Sequence, residues 1–217
     1  MVTKPSLLLP LNPVEQLRAG RMGRRLPQLI GGLLLYGFSM AMQVRGALGL
    51  APWDVLTQGI SRHLPLSFGM ITIAISFVVL LLWIPLRQAP GLGTVLNALI
   101  VGVAADLGLW LLPQPDGLAP RAGLLVAGVV LNGLAGAIYV GAQLGPGPRD
   151  GLMTGLHRVT GRSLRLVRTG IEVVVLALGW LLGGQVGIGT VLYALAIGPL
   201  IQLFLPLTVV RLRGPRS

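Results

Sequence analysis

The sequence has no cysteine, a single lysine and only six acidic residues among 217. Without cysteine there are no disulfides, no thiol chemistry and no cysteine-ligated metal, so the redox compartment stays open. Two histidines, His63 and His157, show no metal-ligand spacing. No nucleophile–base pair, metal-ligand set or HExxH-like motif is visible, so an enzyme is not expected. Charge is scarce as well, at 11% of residues. A soluble domain needs far more charge than that to cover its surface.

What the chain has instead is apolar: 53% hydrophobic residues and a mean hydropathy of +0.82. Several runs of eighteen or more residues are almost free of charge, the mark of membrane-spanning helices. Thirty-two glycines agree, because small residues let helices approach closely in lipid. The net charge of +11 comes from arginines at the ends of apolar runs, where they hold loops on the cytoplasmic side. No nucleic-acid-binding motif accompanies it, so nucleic acid is not an expected partner. The first apolar stretch, LLLPL, is short and broken by proline, which is unlike a signal peptide.

One ungapped offset aligns the chain with itself. It carries Gly49, Pro52, Asp54, Leu56, Gly59 and Arg62 onto Gly145, Pro148, Asp150, Leu152, Gly155 and Arg158. At the same offset GLGTVLNALIVG falls on GIGTVLYALAIG. Two separate blocks agreeing at one offset point to an internal duplication. The resulting division is a basic N-terminal segment (1–26), a first copy (27–112), a linker rich in turn residues (113–121), a second copy (122–210) and a basic tail (211–217). Each copy reads as an apolar run, a short polar insert and two more apolar runs. The runs are 27–48, 67–86 and 91–112, then 122–144, 164–183 and 188–210; the inserts are 52–63 and 148–159.

An insert of about 12 helical residues reaches roughly 18 Å, short of a hydrocarbon core of about 30 Å. Each copy therefore has three spans, and an odd number turns the second copy over. The expected fold is an all-α membrane protein of six transmembrane helices in two inverted three-helix repeats, each with a short re-entrant or interfacial helix. With both termini cytoplasmic, the inner segments hold Lys4, Arg18, Arg21, Arg24, Arg25, Arg87, Arg149 to Arg168, Arg211, Arg213 and Arg216. The outer ones keep Arg45, Arg62 and Arg121, as the positive-inside bias requires.

Each insert opens with a helix-start signature, proline followed two residues later by aspartate. Along the short helices, Asp54, Gln58, Ser61 and Arg62 recur at helical spacing, as do Asp150, Thr154, His157 and Arg158. The inserts are either surface helices in the headgroup layer or half-helices dipping inward to line a cavity. In the second case the candidate residues for substrate or coupling ion are Pro52, Trp53, Asp54 and Gln58 with Pro148, Arg149, Asp150, Thr154 and His157, the two aspartates converging. Arg149 stands where the first copy has Trp53. Glu172 is a candidate proton relay, although Arg168 at i−4 suits it as an ion-pair partner. Asp106 reads as solvated near a helix end, and Asn97, Asn132, Gln43, Gln143, Tyr36 and Tyr139 as ties between helices. The Gly-x-Gly-Thr blocks follow no strand, so a nucleotide cofactor is not expected.

The blocks GLAPWDVL and GPGPRDGLM, with the later GIGTVLYA, resemble the YczE/YyaS/YitT family of bacterial integral membrane proteins. The resemblance covers roughly 29–207 and implies a small multi-pass protein of the bacterial plasma membrane. It implies no substrate. Two functions remain open: a secondary transporter or permease for a small solute or ion, coupled to protons through Asp54 and Asp150, or a scaffold docking a partner through arginine-rich cytoplasmic loops. A homo-oligomer is compatible with both.

Overall fold

A computed structural model of the chain describes residues 8, 9 and 11–212. Lys4, Arg213 and Arg216, read above as inner-side charges, lie outside them, as does the rest of each terminus. All regular elements among the described residues are helices: α1 (Pro13–Arg18), α2 (Met22–Gly46), α3 (Pro52–Ser61), α4 (Phe68–Trp83), α5 (Leu92–Leu111), α6 (Leu118–Gly141), α7 (Pro148–Thr160), α8 (Leu164–Leu181) and α9 (Ile188–Thr208). Helices α5, α6 and α9 are long and apolar enough to cross a membrane by length and composition; α4 is as apolar but shorter. Large side chains that a soluble protein would bury face outward, with Trp110 80% and Leu207 79% exposed. An apolar exterior on this scale is a membrane-facing one.

Hydropathy places the start of α2 late. The helix begins at Met22, so Arg24 and Arg25 lie in its first turns instead of in a loop. The short α1 is an additional element, fixed by a capping box in which Asn12 Oδ1 accepts from Glu15 N and Glu15 Oε2 accepts from Asn12 N.

Helix α2 is central, packed on α5 and α6, with α9 on α6 and α4 on α5. Its Leu29, Leu33 and Met40 form one core with Phe68, Val101, Ala105, Tyr139 and Ala142. Backbones come close where glycine allows: a methyl group on Gly37 would lie 2.3 Å from the Val101 carbonyl oxygen.

The second core is built from matched positions of the two copies. Leu56 and Leu152, Ile75 and Ile171, and Val79 and Val175 all pack around Trp53 and Trp83. Each pair is related by the offset found in the sequence. The same matching appears in the backbone. Gly93 N donates to Leu144 O at 2.7 Å, and its counterpart Gly189 N donates to Leu48 O at 2.8 Å. Each Gly-x-Gly-Thr block thus opens a long helix and docks the loop of the other copy. Those loops turn at Gly49 (φ 113°) and Gly145 (φ 121°), a conformation that favours glycine.

Packing of the short helices exchanges bulk between copies. Trp83 covers Gly151 of α7, whereas Gly179, at the position equivalent to Trp83, lets α8 meet the α3 backbone at Leu56. A methyl on Gly151 would sit 1.9 Å from the Trp83 ring. Gly151→Ala is therefore expected to lower thermal stability in detergent by about 1–3 kcal/mol, the cost of overpacking. A Gly151→Ala protein as stable as wild type would refute the packing account.

Candidate functional site

Pro52 and Pro148 occupy the first positions of α3 and α7, where a missing N–H costs nothing. Asp54 and Asp150 follow in the first turn, at the positive end of each helix dipole, and neither helix has a side-chain cap. The backbone leading into α3 is not at the surface, since Leu50, Ala51, Pro52, Trp53 and Asp54 are all buried.

The two short helices diverge toward their C-termini. At the far end of α3, Gln58 Oε1 accepts from Gln185 N at 2.7 Å and His63 Nε2 lies 3.1 Å from Leu182 O, both in the α8–α9 turn. At the far end of α7, Arg158 Nη2 donates to Leu86 O at 2.5 Å and to Arg87 O at 3.2 Å, in the α4–α5 turn. Their N-termini meet. Arg149 Nη1 is 3.4 Å from Asp54 Oδ1, and the guanidinium lies 5.1 Å from the centre of the Trp53 ring, within cation–π range. Trp53 and Arg149 are equivalent positions of the two copies, so the break in the repeat becomes a contact.

Beside this junction is a cavity of about 480 Å³ lined by residues of α2, α4, α5, α6, α7, α8 and α9, within the size range of small-molecule sites. Tyr36, Tyr139 and Tyr193 face it, together with Asn97, Arg149, Asp150 and Arg168. Tyr139 Oη donates to Asp150 Oδ2 at 2.6 Å, and the Tyr36 and Tyr139 rings meet edge to face at 6.0 Å. Tyr193 Oη donates to Asn132 Oδ1 at 3.1 Å, and Asn132 Nδ2 donates to Ser39 Oγ at 2.8 Å. These bonds fix two of the phenols in place. A methyl on Gly147 would sit 3.3 Å from each of Asn97 Nδ2, Asp150 Oδ2 and Tyr139 Oη. The missing side chain leaves a spot within reach of an amide, a carboxylate and a phenol at once. Leu8, Leu9, Leu11 and Gln16 complete the lining, with Leu9 N donating to Gln143 Oε1 at 2.8 Å.

Of the residues singled out in the sequence, Pro148, Arg149 and Asp150 line the cavity, and Trp53 and Asp54 touch Arg149. Pro52 heads α3 behind them. The two carboxylates have separate partners, Arg149 for Asp54 and Tyr139 for Asp150. Gln58 is held at the α8–α9 turn, the Thr154 hydroxyl donates to Gly151 O, and His157 Nδ1 is 2.5 Å from Arg162 O. None of those three lines the cavity. Glu172 Oε1 accepts from Arg168 Nε at 2.9 Å, and it is Arg168 that reaches the cavity wall. Asp106 is no free surface charge: it accepts from Ser67 Oγ at 2.5 Å and Gly69 N at 2.7 Å, capping the start of α4. Sequence reasoning passes over Tyr193 and reads Tyr36, Tyr139 and Asn97 only as ties. The one signal is that Tyr193 falls on Asn97 at the repeat offset.

Residues 23–206 match the model of a "Family of unknown function (DUF6198)". An "Uncharacterized protein" of Haemophilus influenzae is 39% identical over 177 residues, which cover 82% of this chain and 81% of the relative. Two Bacillus subtilis proteins are also similar. "Uncharacterized membrane protein YczE" is 34% identical over 82% of this chain and 84% of its own length. "Uncharacterized protein YyaS" is 29% identical over 81% and 90%. No solved structure matches.

Proposed function

The chain belongs to this family of membrane proteins, DUF6198, and on that premise we propose that it carries a small solute across the bacterial plasma membrane. Six spans, α2, α4, α5, α6, α8 and α9, form two inverted repeats with both termini cytoplasmic. The reciprocal Gly93–Leu144 and Gly189–Leu48 hydrogen bonds support this pairing, because each joins one copy to the other at equivalent positions. The termini are inside because the arginines favour that side.

One observation carries the reading. Helices of 10 and 13 residues approach from separate turns and meet N-terminus to N-terminus at Arg149 and Asp54, beside a mainly apolar cavity into which Asn97, Arg149, Asp150 and three tyrosines converge. Laid end to end they reach roughly 35 Å, against a hydrocarbon core of about 30 Å. They thus amount to one broken span whose α7 end, with Arg149 and Asp150, faces the cavity while Asp54 of α3 backs Arg149, close to the arrangement by which inverted-repeat carriers build a central site. Asp150, held by Tyr139, and Asp54, held by Arg149, are the groups that exchange a coupling proton. Chemistry on the solute has no part in this reading. A scaffold docking through the loop between α7 and α8 would have no use for such a cavity.

The natural absence of cysteine makes the test direct. Arg62→Cys and Val159→Cys should react with a membrane-impermeant maleimide from opposite faces of the cell membrane. In proteoliposomes containing a pH-sensitive dye, a panel of amino acids, carboxylates and sugars should include one that drives proton movement. Asp150→Asn should reduce that movement by about tenfold or more, the loss expected when a hydrogen bond to a charged group weakens. Labelling of both cysteines from one face, or full activity in Asp150→Asn, would reject the proposal.

A further inference from the structure

Trp53 borders a second hollow. Between α4 and α8, floored by α3 and α7, runs a groove of about 840 Å³ whose lining is aliphatic along nearly its whole length. Its walls extend from Ile71 to Leu82 on α4 and from Leu166 to Leu178 on α8, roughly 16 and 18 Å at the helical rise. That is about one leaflet of a hydrocarbon core of about 30 Å. The lining turns polar at a single end, at Thr160 and Arg162, while the other end closes on Leu64 and Leu66. Arg162 is exposed, and its guanidinium has no hydrogen bond or ion pair among the described residues. Arg165 is exposed close by in the chain, and among the described residues no carboxylate lines the groove.

We infer that this groove binds a single anionic phospholipid, with an acyl chain along α4 and α8 and its headgroup on Arg162. The pattern is that of the ligand: a hydrocarbon channel one leaflet deep, ending in unpaired positive charge. Basic pockets between helices on the cytoplasmic side select such headgroups. A second copy seated in the same groove would bring its own Arg162 and Arg165 against this cluster, and like charges facing each other oppose that dimer. Trp53 is shared, lining the groove while its ring lies beneath Arg149. A bound chain therefore also steadies the residue that holds Arg149 at the cavity. The inference depends on the chain being embedded in a bilayer and is independent of transport.

Gly170 supplies the test. It lines the groove, and an added Cβ would meet nothing within 4 Å, so Gly170→Leu adds bulk at the groove wall from a position with room for its first carbon. Gly31 on α2 is equally open and serves as the control. The full chain, delipidated in detergent, is titrated with dioleoylphosphatidylglycerol or dioleoylphosphatidylcholine and followed by native mass spectrometry. One phosphatidylglycerol should be retained in preference to phosphatidylcholine. Arg162→Gln, a surface change that does not threaten folding, should weaken the phosphatidylglycerol complex about fivefold, the worth of one arginine near an anionic surface. Gly170→Leu should lose both lipids and Gly31→Leu neither. Equal retention of the two lipids, or a preference that survives Arg162→Gln, would overturn the inference. So would Gly170→Leu splitting a dimer while lipid stays bound, which would assign the groove to a second copy.

Discussion

Arg149→Met should abolish solute-driven proton movement and lower stability by about 3–5 kcal/mol, the cost of leaving a buried charge without its partner. Asp54 is 4% exposed, and among the described residues its carboxylate makes one side-chain hydrogen bond, to Arg149. The dipole of α3 offers some compensation, since Asp54 sits in the first turn, but about 0.3–2 kcal/mol from that source does not offset the loss. Methionine keeps an unbranched stem against the Trp53 ring and gives up the cation–π contact. The double variant Arg149→Met/Asp54→Asn separates structure from function. With no buried charge left unpaired, most of the lost stability should return, because replacing both members of a buried pair is often close to neutral. Proton movement should not return if the pair belongs to the carrier cycle. Thermal unfolding in detergent reads the first quantity and dye-filled proteoliposomes the second. A double variant that regained full activity would reduce the pair to a fold element.

Much of this junction is legible in the sequence because its signals are local. Proline at the first helical position with an acid two residues on marks Pro52 and Pro148, and both head helices. Duplication is legible too, since it needs only self-comparison, and it singles out the Gly-x-Gly-Thr blocks by their recurrence alone. What escapes are partners distant in the chain. Arg25 reads as a loop charge because the apolar run starts after it, yet its acceptors include Ala142 O and Gln143 O, at the end of another helix. Asp106 reads as a solvated end-of-helix acid, and its role as the cap of α4 depends on α4 and α5 packing side by side. Tyr139 and Tyr193 sit on helices apolar on every side, where periodicity cannot mark the face turned inward. Only the packing of α6 and α9 against their neighbours turns those phenols toward the cavity.

Arg25→Ala should cost as much as any single change, about 3–5 kcal/mol, and the variant should accumulate poorly. Arg25 is fully buried. Its Nε donates to Ala142 O at 2.8 Å and its Nη2 to Gln143 O at 2.7 Å. Nη1 donates to Gln16 O at 2.6 Å and Gly20 O at 3.2 Å. Carbonyls just beyond α6 have no intrahelical donor and sit at the negative end of its dipole, so a fixed cation there satisfies both. Alanine would leave four carbonyl groups short of a donor at about 1–3 kcal/mol each, partly relieved where water enters. Arg25→Lys restores the charge but not the planar fork that reaches α6 and the Gln16 and Gly20 carbonyls together, so it should recover only part of the loss. The same variant bears on access. Gln16 and Leu9 line the cavity, and Gln16 is held from its carbonyl by Arg25 while Leu9 is held by Gln143. Arg25→Lys should therefore loosen the N-terminal side of the cavity more than it unfolds the bundle. Leu11→Cys in that background should react with maleimide several-fold faster than Leu11→Cys alone. Equal rates in the two proteins, with stability unchanged, would show that Arg25 neither closes the cavity nor supports the end of α6.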